Sequence, residues 1–85
     1  MKTFNDLKFE PWHAGGKHAI LNFDNGYGVS VLLGENYYSN GIDTYELAVL
    51  RYGFICYDTE ITDNVLGYIT KEEVTDVMLK LQSYD

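Results

Sequence analysis

Apolar and polar positions alternate through the first two thirds of the chain, then change to a helical period. Leu7-Lys8-Phe9-Glu10 alternates strictly and predicts a short first strand that Pro11 ends. Trp12-His13-Ala14-Gly15-Gly16 reads as a flexible loop. Lys17 to Asp24 and Tyr27 to Leu33 are strand-like runs on either side of Asp24-Asn25-Gly26, a hairpin signal. A two-residue turn at Asn25-Gly26 would pair Asp24 with Tyr27 and mix polar and apolar residues on both faces. A three-residue loop with Gly26 in the left-handed conformation pairs Phe23 with Tyr27, Leu21 with Val29 and Ala19 with Val31. That register gathers the large apolar residues on one face and leaves His18, Asn22, Gly28 and Ser30 on the other, so the pattern selects it.

Gly34 to Asp43 is a polar loop in which Ser39-Asn40-Gly41 supplies turn chemistry. Thr44 to Tyr52 and Phe54 to Tyr57 are two further strand-like runs, with Gly53 marking the turn of a second hairpin. Asp58, Thr62, Asp63 and Asn64 are turn and cap formers, and Val65-Leu66 is expected to form one helical turn that Gly67 ends. Thr70-Lys71-Glu72-Glu73 is a capping box. Val74, Val77, Met78 and Leu81 then fall on one face of a helix running to about Ser83. These elements predict one α+β domain over residues 1–85: an antiparallel sheet of four to five strands, built from two hairpins, with one C-terminal helix packed on one face. A single helix leaves the second sheet face uncovered, so that face is expected to be polar or to bind something.

Composition changes this picture chiefly through charge. Thirteen acidic residues stand against six basic ones, a formal charge of −7 on 85 residues. After Gly34 there are ten acids against Arg51, Lys71 and Lys80, so the first 33 residues are nearly neutral. Such a field repels nucleic acids and anionic membranes and attracts basic protein surfaces. With 46% hydrophobic residues and eight tyrosines, the chain is expected to fold rather than remain an acidic disordered tail. Its lone Cys56 permits no internal disulfide. No run approaches the length of a membrane span, and the opening residues lack a signal-peptide apolar region. The sequence-based expectation is a cytoplasmic protein.

Recognisable site chemistry is scarce. His13 and His18 with a distant Cys56 fall short of a zinc set, and Cys56 between Ile55 and Tyr57 reads as a small buried hydrophobe. Asp58-Thr59-Glu60 with Asp63 and Asn64 lacks calcium-loop spacing. Gly26-Tyr27-Gly28 lies inside a hairpin rather than between a strand and a helix, so it is no phosphate loop. No cofactor, metal site or catalytic residue is expected. Two features remain: the late acids, and Tyr37 and Tyr38 in a polar loop where no core is expected. Tyrosine combines apolar area with a hydrogen-bonding tip and is enriched at interfaces. Glu35, Tyr37, Tyr38, Asp43, Glu46, Asp58, Glu60 and Asp63 are therefore the candidate partner-binding residues.

The segments Asn25-Gly26-Tyr27-Gly28-Val29-Ser30-Val31, Tyr45-Glu46-Leu47-Ala48-Val49-Leu50, Cys56-Tyr57-Asp58-Thr59 and Asp63-Asn64-Val65-Leu66-Gly67-Tyr68-Ile69-Thr70 resemble those of small acidic accessory proteins encoded by bacteriophages. The resemblance covers most of the chain and transfers no functional residue. It implies a non-enzymatic inhibitor of a host nucleic-acid-handling or defence protein, of the anti-restriction or anti-CRISPR type, in some cases mimicking DNA with carboxylates in place of phosphates. Its partner would be a host protein with a basic surface, without direct nucleic-acid or membrane binding. The alternative is a structural or assembly module that forms a homodimer through the open sheet face or edge.

Overall fold

The alternation in the middle of the chain builds the sheet. The computed structural model describes residues 1–56, 59 and 65–84. Among these residues six strands occur, β1 (Glu10–Pro11), β2 (Lys17–Asn22), β3 (Tyr27–Leu33), β4 (Tyr45–Arg51), β5 (Phe54–Ile55) and β6 (Leu66–Ile69), followed by helix α1 (Lys71–Gln82). All pairings are antiparallel, in the order β1-β2-β3-β4-β5, and β6 also pairs with β4. β6 lies beside Tyr45 and Leu47 and β5 beside Leu50 and Arg51, so the two share the outer side of β4. The α+β arrangement of a sheet with one C-terminal helix is therefore the fold.

The first hairpin adopts the register that segregates the large apolar residues: Leu21 faces Val29 and Ala19 faces Val31. The Phe23 N–H donates to the Tyr27 carbonyl at 2.7 Å, and Gly26, at φ +89°, supplies the left-handed residue of the three-residue loop. Trp12 to Gly16, expected as a flexible loop, closes by the same scheme. The Trp12 N–H donates to Gly16 O, the Gly15 N–H donates to Trp12 O, and Gly15 sits at φ +97°. The second hairpin turns through Tyr52 and Gly53 alone, pairing Arg51 with Phe54. Both turn residues have positive φ, +51° and +86°, as the tight turn of a twisted hairpin requires.

Three expectations are corrected. The first strand is not Leu7–Glu10 but Glu10–Pro11. Leu7 and Phe9 are drawn instead against the core, where Phe4, Phe9 and Tyr45 form an aromatic cluster with centroids 5.1–5.8 Å apart. Strand β5 ends at Ile55, and the next residue, Cys56, is buried in the core with its N–H on Val49 O; Tyr57 lies outside the described residues. The helical turn expected at Val65–Gly67 is absent. Leu66 and Ile69 pair with Leu47 and Tyr45, and two residues, Gly67 and Tyr68, oppose the single Glu46. This bulge lets Leu66 and Ile69, three apart in sequence, both reach the core. A Cβ on Gly67 would stand 2.7 Å from the Tyr38 Cβ, so only glycine fits there. The turn and cap formers at Asp58 and 62–64 lie outside the described residues.

The capping box forms as the sequence predicts. The Thr70 hydroxyl accepts from the Glu73 N–H at 3.2 Å, and Glu73 Oε1 accepts from the Thr70 N–H at 3.0 Å. Val74, Met78 and Leu81 are fully buried against Val29, Val31, Leu47 and Val49, while Val77 is partly buried at the edge. The N-terminal segment is stitched to the helix. Lys2 exchanges two hydrogen bonds with the Gln82 side chain, and the Phe4 N–H donates to Thr75 Oγ1.

The far end of α1 is held by the first hairpin. Asn25 Nδ2 donates to Leu81 O at 2.8 Å and Tyr84 O at 3.0 Å, and its Oδ1 accepts from the Tyr27 N–H. One turn side chain thus adds a donor to a carbonyl of the last helical turn and another to the residue just beyond the cap. Asn25→Ala is expected to cost about 2 kcal/mol. Asn25→Asp, a comparable turn former, should cost at least as much because a carboxylate would face two carbonyl oxygens. Denaturant unfolding of both variants measures this; a near-neutral aspartate would reduce Asn25 to a turn residue.

Candidate functional site

Five of the eight candidate residues lie in the loop at 34–44 and at the start of β4. The loop is organised by two side chains. Buried Ser39 donates to Thr44 O and accepts from the Gly34 and Gly41 N–H groups. Asn40 Oδ1 accepts from the N–H groups of Ile42, Asp43 and Thr44 at 2.9–3.0 Å, while its Nδ2 donates to Asp43 Oδ1 at 2.7 Å. The backbone is fixed from within, which leaves Glu35, Tyr38, Ile42 and Asp43 pointing to solvent.

The two loop tyrosines have different fates. Tyr37 is half-buried. Its hydroxyl donates to Gly15 O at 2.9 Å and ties the loop to the first turn. Tyr38 is 58% exposed. Its N–H donates to Glu46 Oε1 at 3.1 Å, its carbonyl accepts from the Tyr68 N–H at 2.8 Å, and its ring meets Tyr68 edge to face with centroids 6.4 Å apart. Tyr38 and Glu46 are therefore brought together, with Tyr68 as a third member. Asp58, Glu60 and Asp63 lie outside the described residues.

Tyr68 was not among the candidates, because its segment read as the exit from a helical turn. The signal lay in Leu66 and Ile69: two core-type residues three apart in a run that must then be bulged. Tyr68 holds φ +55°, a left-handed conformation costing a bulky residue about 1–2 kcal/mol relative to glycine. The residue is nevertheless 60% exposed.

Strand register places several acids together. Leu33 ends β3, Tyr45 begins β4, and Ile69 beside Tyr45 leads directly into α1. Glu35, Asp43 and Glu46, with Glu72 and Glu73 from the first turn of α1, therefore lie at one end of the sheet, against Lys17 and Lys71. Tyr38 and Tyr68 project at that same end. Arg51 lies at the other, where its guanidinium packs over the rings of Tyr27 and Tyr52 at 4.9 and 5.7 Å.

No protein-family model, curated protein or solved structure matches the chain. Its site must be argued from geometry alone. Among the described residues no group of three His, Cys, Asp or Glu side chains could hold a metal ion. None of the described helices is long and apolar enough to cross a membrane. A shallow cleft of about 510 Å³ lies between the N-terminal segment and the first hairpin turn, lined by Lys2, Asp6, Asp24, Asn25 and Gln82 among others. That lining contains no nucleophile paired with a base.

On the sheet face away from α1, Trp12 lies between His13 and His18, with centroids 4.4 and 4.1 Å away, and His18 Nε2 is 3.0 Å from Ser30 Oγ. Burial, and then the charge of His13, hold the His18 imidazole below its ordinary value of 6.5. The unfolded chain therefore takes up a proton at this position before the folded one does. The stability contributed by this neutral imidazole is complete above about pH 6.5 and declines as the pH falls below it. His18→Gln can keep the Ser30 bond without titrating, so the Tm difference between wild type and variant should move against the wild type from pH 6.5 to 5. Parallel thermal melts across that range test the sign.

Proposed function

We propose that the protein acts without catalysis, by binding a basic surface of another protein through the acidic end of its sheet. One observation carries this reading: Tyr38, Tyr68 and Glu46 are brought together at the end of the sheet where the loop displays exposed Glu35 and Asp43. Carboxylates around exposed aromatics match an interface with a polar rim and a tyrosine-rich centre. The charge of −7 favours a basic partner and speeds encounter with it. A nucleic-acid-handling or defence protein of a bacterial host is the proposed target, since its channels are built to neutralise phosphates and accept fixed carboxylates in their place.

A second reading has its own observation. Ile20 and Ile55 lie on the sheet face away from α1 and are 55% and 50% exposed, which suits assembly of two copies across that face.

The test is capture from bacterial lysate at low salt, identification after elution in a salt gradient, and an assay of the captured protein's DNA binding or nuclease activity. Release by rising salt and inhibition at stoichiometric ratio are expected. Affinity unchanged by salt rejects the charge-driven reading. A mass that grows with concentration, with no heterologous partner retained, favours assembly.

A further inference from the structure

Building on the proposed basic partner, we infer that Tyr38, Tyr68 and Glu46 form a receptor for a single arginine side chain of that partner. The argument begins with Tyr68. A glycine at φ +55° would make the same N–H bond to Tyr38 O without steric cost, so the tyrosine adds only its ring. That ring is mostly exposed, and packing within the chain returns little for the strain. Strained residues that the fold does not itself require point to function.

The same chain shows what such a tyrosine can do. Tyr52 is the other non-glycine residue with positive φ among the described residues, and its ring, with that of Tyr27, receives Arg51. Arg51 Nη1 also donates to the Tyr27 hydroxyl at 3.0 Å. A two-tyrosine arginine seat is thus filled from within at one end of the sheet. At the other end the rings of Tyr38 and Tyr68 meet edge to face, and among the described residues no guanidinium or ammonium lies over either ring.

Glu46 makes the empty seat complementary to a cation. Its Oε1 accepts from the Tyr38 N–H, which fixes the carboxylate beside the rings and leaves Oε2 for a ligand. Edge-to-face packing leaves ring faces open, and a planar guanidinium can stack on one while donating to a carboxylate. An ammonium cannot do both as well, so arginine is favoured over lysine.

The probe is a short oligoarginine peptide, with its oligolysine counterpart, titrated at low salt into the whole protein while NMR follows the tyrosine ring and Glu46 signals. Saturable shifts at Tyr38, Tyr68 and Glu46 are expected, with arginine binding the more tightly. Tyr68→Gly should raise Tm while weakening the arginine peptide about fivefold. Tyr38→Ala and Glu46→Gln should weaken it similarly, and they carry the test if the glycine variant does not fold. A lower Tm in a folded Tyr68→Gly makes the ring structural and overturns the seat. Binding that is spread over the acidic end and indifferent to these substitutions also overturns it, while leaving the basic-partner reading intact. No binding of either peptide at low salt overturns both.

Discussion

Among the described residues seven side chains are wholly withdrawn from water, Val29, Val31, Leu47, Val49, Val74, Met78 and Leu81, and they come from β3, β4 and α1. The contact between one helix and two central strands is what the rest of the structure depends on. A helix of twelve residues is marginal by itself in water, so it exists because the sheet covers its apolar face. The other attachments hold it in register. The Thr70 capping box starts it, the Lys2 and Phe4 bonds clasp its outer side, and Asn25 receives its last turn. Glu72 and Glu73 in the first turn favour the positive end of its dipole, so part of the acidity also serves the fold.

One helix for two sheet faces has a consequence for the surface. The face away from α1 combines small and polar residues, Gly28, Ser30 and Ala48, with exposed Ile20 and Ile55 and the Trp12–His18 stack. No described acid is buried, and only Glu46 is half-buried. Glu46 is also the carboxylate that bonds to the Tyr38 backbone, so the acid least open to water is the one joining the loop to the sheet.

What the sequence could say followed the range of the interactions. The first hairpin's register was legible because a slip by one residue would have moved every apolar side chain to the wrong face. The helix was legible because its cap and its apolar stripe are local. The Trp12–Gly16 turn repeats the loop scheme of the first hairpin, but the alternation before it misled: Leu7 and Phe9 pack against the core, and the strand that flanks the turn is Glu10–Pro11. The bulge at Gly67-Tyr68 was misread because the cap formers before Val65 and the glycine after Leu66 suggest a helical turn, whereas Leu66 and Ile69 share a face only when an extra residue is inserted. Asn25 was legible as a turn residue but not as the partner of Leu81 and Tyr84, more than fifty positions away. Among the candidate residues, acidity and aromatic character picked out Tyr38 and Glu46, which the structure brings together, but not Tyr68 beside them. Which tyrosine turns inward was decided by Gly15 across the sheet, a contact no local pattern encodes.

Net charge alone draws the protein toward any basic surface, and at physiological salt that attraction fades within about 8 Å. Discrimination therefore has to come from groups held in fixed positions at contact distance. Ser39 and Asn40 supply this by binding five backbone N–H groups of a loop that would otherwise lose entropy on docking. Their side chains satisfy the loop internally, with Asp43 Oδ1 the one outward group that joins these bonds, so the Glu35 and Tyr38 side chains are displayed without being needed to hold it together. Such an arrangement separates the two tasks: the interior of the loop sets the geometry, and Glu35 and Tyr38 at its surface are left to meet a partner. A flexible acidic loop with the same composition would be steered equally well but would bind with less selectivity, because the cost of ordering it would fall on every encounter.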